Sequence, residues 1–361
     1  MKTRILHLEL GRHLYGGAKQ VTYLIKGLDK STNFEQHLLC THDSEIRDAQ
    51  FTRCLIHPIR YGGEVDILGM MRILKEIKRL SPHIIHVHSR RGADVIGALA
   101  AKLYQIPAIC TRRVDNLESR FAYYKYRQYT GVVSISKGVS GVVSMHCEGV
   151  KHQKVIPSAV DTVEYGVCAN QTWFRREFAI PKGHKVIANF AQYISRKGQA
   201  DIILAMREVL KKNSKVTCLL FGQGALKESY QALIDRHNLA ENVRLCEFTN
   251  NVAKILPNID MLVHPAYAEG LGVILLQAGI NKCPIISCPV GGIPEIIKHK
   301  ETGLMVAPGD IQGLGESIIY LLEHPDVAKT YGEAISAHVR EVFSIDKMTA
   351  SYADLYQSVY Q

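Results

Sequence analysis

The stretch HPAYAEGLGVILLQAGINKCPIISCPVGGIPE, residues 264–295, decides how this chain folds. It opens on the last residue of an apolar run, Met261–His264, that reads as a strand, and a short loop then carries Glu269 ahead of Gly270-Leu271-Gly272. The apolar residues from Val273 to Ile280 read as a helix and Ile285–Ser287 as the next strand. Strand, glycine turn, helix, strand is the order of a parallel sheet wound with helices. A helix opened by glycines presents free N–H groups to an anion, and its dipole favours negative charge there. Glu269, in the same turn, is placed to accept hydrogen bonds from ligand hydroxyls.

The same alternation runs along the rest of the chain. Arg4–Glu9, Gln36–Cys40, Ile84–His88, Ala108–Thr111 and Gly131–Ser134 read as strands of a first half, with helices over Ala18–Leu28, Ile67–Leu80, Ala93–Tyr104 and Lys137–Cys147. Val186–Phe190, Val216–Phe221, Val243–Cys246, Met261–His264 and Ile285–Ser287 serve a second half, with helices near Gly198–Lys211, Ala225–Asn238, Val273–Ile280 and Ile311–His324. Two doubly wound α/β domains follow, and 361 residues suit two domains of ordinary size.

Hydrophobic content of 47% is that of a globular protein, and no apolar run approaches the roughly 20 residues of a membrane helix. The start, Met1-Lys2-Thr3-Arg4-Ile5-Leu6, enters a strand at once and lacks the cleavage region of a secretory signal, which predicts a cytoplasmic protein. Nine cysteines without a CxxC pair suit reduced thiols better than disulfides or a zinc site. The net charge of +10 is lopsided: residues 1–160 carry +11 and the remainder −1. A basic first half predicts an anionic partner. Nucleic acid is disfavoured because no recognised nucleic-acid motif is present, which leaves an anionic membrane surface or a phosphorylated acceptor.

Glu269, the glycine pair and the tail Gly291-Gly292-Ile293-Pro294-Glu295 resemble the retaining glycosyltransferases of family 4, whose mark is two glutamates separated by seven residues around such glycines, then a strand and Gly-Gly-x-x-Glu. Here Gln277 stands where the family has its second glutamate, and a glutamine can still accept through its amide oxygen as well as donate. The resemblance implies a GT-B fold, two Rossmann-like domains facing across a cleft, with donor binding at Gly270, Leu271, Gly272, Val273 and Gln277. It also implies that the last helix crosses back onto the first domain. The expected domains are therefore 1–160 with 344–361 on the acceptor side and 161–343 on the nucleotide-sugar side, with a hinge near Pro157-Ser158-Ala159-Val160-Asp161.

Other motifs fit the resemblance. Gly16 and Gly17, in the first strand-to-helix turn, match the family's loop against the donor diphosphate. His86 and His88 share one face of a strand by alternation, and His88, at the strand's carboxyl end, matches the family's histidine near the reacting sugar; a structural role suits His86. Arg196-Lys197-Gly198 ahead of a helix reads as a diphosphate clamp, and Gly222 as part of another ligand-facing turn. Arg90, Arg91, Arg112 and Arg113 are candidates for an acceptor phosphate. The stretch Arg112–Tyr129, in which Arg120, Lys125 and Arg127 alternate with Phe121, Tyr123, Tyr124 and Tyr126, suits the headgroup layer of an anionic membrane.

The implied activity is metal-independent, retaining transfer of a sugar from a nucleotide diphosphate to a saccharide or lipid-linked acceptor in cell-envelope synthesis of the lipopolysaccharide type. His88, Glu269, Arg196 and Lys197 are the expected catalytic residues, with no cofactor and no metal, and the protein is expected peripherally on the inner face of the cytoplasmic membrane. A sugar-nucleotide epimerase of the same fold, or a nucleotide-sugar-binding protein without transfer activity, are the alternative readings.

Overall fold

Thr3–Glu9 (β1), Phe34–Thr41 (β2), Cys54–Ile59 (β3), Ile84–Val87 (β4), Ala108–Arg112 (β5), Gly131–Ser134 (β6) and His152–Val155 (β7) form one parallel sheet, in the order β3-β2-β1-β4-β5-β6-β7. Lys185–Phe190 (β8), Val216–Phe221 (β9), Val243–Cys246 (β10), Met261–His264 (β11), Ile285–Ser287 (β12) and Leu304–Met305 (β13) form a second, in the order β10-β9-β8-β11-β12-β13. The computed structural model describes residues 2–360, which divide into two units. One runs to Ala159 and resumes at Ile345; the other is Val160–Ser344.

In each sheet the winding reverses between two adjacent strands, β1 and β4 in the first unit, β8 and β11 in the second. Loops leaving the carboxyl ends of such a pair diverge to opposite faces, so a crevice opens between them where ligands of open α/β sheets bind. The central strands are buried on both faces, which is why they read as continuous apolar runs. Three strands escape that reading: β3, β7 and β13, all at sheet edges. An edge strand is half solvated and tolerates mixed composition, including Pro58 within β3.

Most predicted helices are present within one or two residues of their expected ends. One long helix, Pro325–Val342, was not anticipated. It opens on a proline at its first turn and buries Tyr331, Ile335 and Val339 at four-residue spacing.

The final helix, Ile345–Tyr360, lies in the first unit. Its Met348, Tyr352, Leu355, Tyr356 and Val359 pack with Ile5, Leu24, Ile84 and Ile109. The chain is pinned where it leaves this unit: the Gln20 amide donates to the Ala159 carbonyl and accepts from the Ala159 N–H, both at 2.7 Å. Just inside the second unit the Val160 N–H donates to the Phe343 carbonyl at 3.0 Å.

Tyr356 is fully buried, meets Phe34 edge-on, and bonds His86 Nδ1 at 2.6 Å. Tyr356→Ala is expected to cost about 3–5 kcal/mol of stability, from the cavity. Tyr356→Phe is expected to cost about 1–3 kcal/mol, from the unpaired imidazole. Denaturant unfolding of both variants checks the order.

Candidate functional site

In the second unit the loops after β8 and β11 meet at Glu269. Its Oε2 lies 2.5 Å from Lys197 Nζ and 3.1 Å from His264 Nε2, and its Oε1 accepts from the Gly270 N–H at 3.2 Å. Burial alone would raise this carboxyl, but the His264 bond and the Lys197 ammonium outweigh it and hold the pKa down at about 2. Glu269 is thus ionised throughout the physiological range.

Backbone approach explains two glycines here. Gly198 and Gly291 both take positive φ, 72° and 54°, and a methyl group on either would run into a carbonyl of the β11 loop, that of Pro265 or that of Glu269 itself. The Tyr267 N–H also donates to the Arg196 carbonyl at 2.9 Å. Lys197 and Glu269 are therefore placed by rigid main chain. Gly272, at φ 90°, begins helix Val273–Ile280, whose N-terminus has no side-chain cap, and half-buried Gln277 lies one turn further in. Leu271 is buried beneath this turn. Gly222 packs against the Ala191 carbonyl, so the fold itself requires it, beyond the ligand-facing role expected of it.

In the first unit, a cavity of 240 Å³ opens at the carboxyl ends of β1 and β4, lined among others by Glu9, Gly17, His88, Ser89, Arg90 and Arg113. Gly16 and Gly17 do not form a loop there; they are the first turn of helix Gly16–Leu28, and Gly17 lies beside the Arg113 side chain. His88 is 3% exposed, and its Nε2 lies 3.0 Å from His7 Nδ1. His86 is held at both nitrogens, by Tyr356 and by Thr111 Oγ1 at 2.7 Å, the structural part expected of it. His7, His86 and His88 offer nitrogens within 4.8 Å of one another, the spacing of a metal group. Their hydrogen bonds to one another and to neighbouring side chains describe a fixed polar network instead.

The candidate acceptor arginines separate. Arg112 is buried and its guanidinium is committed to the Val114 and Asn116 carbonyls and, at 3.4 Å, to Glu118, so it is a structural residue. Arg90 is half-exposed and 3.7 Å from Glu118, and Arg91 donates to the Leu10 carbonyl at 2.9 Å. Arg113 alone of the four has a buried Nε without a hydrogen-bond partner. The aromatic-basic stretch is likewise divided. Lys125 bridges Asp94 and Glu118 at 2.6 and 2.9 Å, and Tyr126 and Tyr129 are buried, whereas Leu117, Arg120, Phe121, Tyr124 and Arg127 face solvent.

Sequence reasoning missed Glu9, His7 and His264. All three sit on apolar strands at the sheet's carboxyl end, a position that flags a buried polar residue only once strand order is known.

A family model described as Glycosyltransferase Family 4 matches residues 15–164, and one described as Glycosyl transferases group 1 matches residues 170–338. The chain belongs to the family 4 glycosyltransferases. Among family relatives it is 26% identical to N-acetyl-alpha-D-glucosaminyl L-malate synthase of Bacillus anthracis, over 59% of this chain and 56% of that one. It is 22% identical to the capsular polysaccharide biosynthesis glycosyltransferase CapM of Staphylococcus aureus, over 87% of each chain. The chain spans about half the length of several curated relatives that it matches. In fold it is similar to Anabaena Alr3699/HepE solved with UDP and glucose, with a TM-score of 0.84 at 17% identity over 99% of this chain and 100% of that one. This likeness identifies the two-domain GT-B architecture.

The imidazoles give the family member a pH signature. Burial pushes His7 down to about 4 and, together with neighbouring imidazoles, holds His86 and His88 well below their ordinary value of 6.5. The folded protein keeps them neutral while the unfolded chain takes up protons below pH 6.5. Their contribution to stability is therefore complete above that pH and is lost as pH falls from 6.5 toward about 4. Unfolding free energies from denaturant titrations between pH 7 and 5 should fall by more than the ~1.4 kcal/mol per pH unit that one proton gives, and His7→Gln should flatten the slope.

Proposed function

We propose that the protein transfers a sugar from a nucleotide diphosphate to a saccharide or lipid-linked acceptor in cell-envelope synthesis, with retention at the anomeric carbon and without a metal ion. The observation that carries this is the ammonium of Lys197, fixed on Glu269 next to the uncapped start of helix Val273–Ile280. The relatives support it by the words in their names: an L-malate synthase, a capsular polysaccharide enzyme, and a fold neighbour holding UDP and glucose.

Within the chain Glu269 neutralises Lys197. A donor diphosphate takes the ammonium in exchange, and the released carboxylate is free to accept hydrogen bonds from hydroxyls of the donor sugar. As the diphosphate departs, the negative charge that grows on it is stabilised by Lys197, by its neighbour Arg196 and by the N–H groups at the uncapped helix start. Those cations and dipoles do what a divalent metal would do elsewhere, and the proposed chemistry uses no cofactor. Retention follows if the acceptor hydroxyl attacks on the face the phosphate leaves and passes its proton to the departing phosphate oxygen. Gln277, one turn into the helix, is assigned to the ribose.

Lys197→Ala should lower kcat/KM about a hundredfold or more with the fold intact, the usual consequence of removing one preorganised charge-stabilising group. Glu269→Gln should leave nucleotide diphosphate affinity equal or higher, because it releases Lys197, while turnover falls. Donor turnover with and without acceptor, beside nucleotide titration, checks both; turnover without acceptor would indicate an epimerase.

We also assign the exposed part of the aromatic-basic stretch to an anionic membrane surface. Leu117, Phe121 and Tyr124 are 74, 63 and 65% exposed with Arg120 and Arg127 beside them, an apolar and basic mixture suited to headgroups. No helix among the described residues is long and apolar enough to cross a membrane. Reversing charge at Arg120 and Arg127, with Lys125 kept for the fold, should abolish flotation with anionic vesicles at low salt and spare transfer to a small acceptor.

A further inference from the structure

The polar atoms facing the first unit's cavity have assignable hydrogen-bond roles. The Gln36 amide nitrogen donates to the Ile25 carbonyl at 3.1 Å and to Asp29 at 2.7 Å, so its oxygen is the atom 3.3 Å from His7 Nε2, and His7 Nε2 carries a proton. A neutral His7 then offers Nδ1 as an acceptor, and His88 Nε2 must donate to it. His88, itself neutral, is left with an unprotonated Nδ1, buried and without a hydrogen-bond partner.

Glu9 lines the same cavity, 3% exposed, with Oε1 taken by the Gly11 N–H at 2.8 Å; burial pushes its carboxyl up against the opposing effects of Gly11, Arg113 and Ser89. Arg113 brings the buried, unpartnered Nε–H. The cavity therefore combines two hydrogen-bond acceptors, His88 Nδ1 and the Glu9 carboxyl, with a buried cationic donor, Arg113, while half-exposed Arg90 also lines it, 3.7 Å from Glu118.

We propose that this cavity binds an acceptor bearing both hydroxyls and an oxyanion, a hydroxy acid or a polyol phosphate, with the oxyanion on Arg113 and the hydroxyls on His88 Nδ1 and Glu9. The assignment rests on the transferase reading for the word acceptor, but the binding it describes is independent of turnover. Oxyanion and guanidinium form a charge-assisted pair, and desolvation of Arg113 by the cavity strengthens it. Arg112 cannot take the role, because its fork is already spent within the fold. Gln36 and His7 are positioning residues: they touch no ligand and act by fixing the tautomer of His88.

Calorimetric titration of the full chain, without donor, with sn-glycerol 3-phosphate, D-glycerate, inorganic phosphate and glycerol tests this. The first two should bind and glycerol should not; a preference between them distinguishes phosphate from carboxylate. Inorganic phosphate, lacking hydroxyls, should bind more weakly than glycerol 3-phosphate. Arg113→Gln should weaken the anionic polyols by about tenfold or more while leaving UDP affinity unchanged. Arg113→Lys should keep part of the affinity and serves if the glutamine variant does not fold. Histidine 15N spectra should find His88 protonated at Nε2 in the wild type and altered in His7→Leu. Equal binding of glycerol and glycerol 3-phosphate, unchanged affinity in Arg113→Gln, or an equal loss of UDP affinity would each overturn the proposal, the last by assigning Arg113 to the donor. Failure of transfer assays with these probes bound would instead count against the transferase reading.

Discussion

The ion pair between Lys197 and Glu269 is the interaction on which the second unit's site depends. It joins two loops that leave the sheet in opposite directions, so neither could place its charged group alone. A lone half-buried ammonium would pay a desolvation cost, and a lone carboxylate would lose its charge. Paired, and with His264 on the same oxygen, both stay charged in a crevice that excludes most water. The pair also presets the site for exchange, because an incoming diphosphate replaces one anionic partner of Lys197 with another.

The first unit uses neutral groups where the second uses charges. Its β1 and β4 present imidazoles at the switch point, and burial keeps them uncharged. Their hydrogen bonds run outward from the core, from Tyr356 and Thr111 to His86 and from Gln36 through His7 to His88. The last helix, supplying Tyr352 and Tyr356, thereby links a segment at the far end of the sequence to the orientation of groups at the cavity. Arg113 and Arg90 bring positive charge near these neutral acceptors, and the fold has already spent Arg112.

The basic excess of the first unit is likewise divided between fold and surface. Lys125 and Arg112 converge on Glu118, itself held low by its cationic neighbours and Tyr126 against the effect of burial. These charges are internal and offer little to a membrane or an acceptor. In the same stretch Arg120 and Arg127 lie over the rings of Phe121 and Tyr123 at 5.3 and 5.0 Å and face solvent.

What the sequence by itself determined is the α/β class, the central strands, the family, and the loop around Glu269. Strands buried on both faces are mostly apolar, and glycines ahead of a helix are forced by backbone geometry, so both leave marks in composition and order. The edge strands β3, β7 and β13 leave none, because solvent on one side relaxes what they must contain. Only the tertiary structure decided which of four neighbouring arginines the fold has already committed, that Lys125 is internal, and that His7, Glu9 and His264 belong to the sites. Those outcomes depend on partners 5 to 81 residues away, such as His7 and His88 or Lys197 and Glu269, brought together by strand order. A residue's type reports what it can bond, and only the fold reports which bonds are already made.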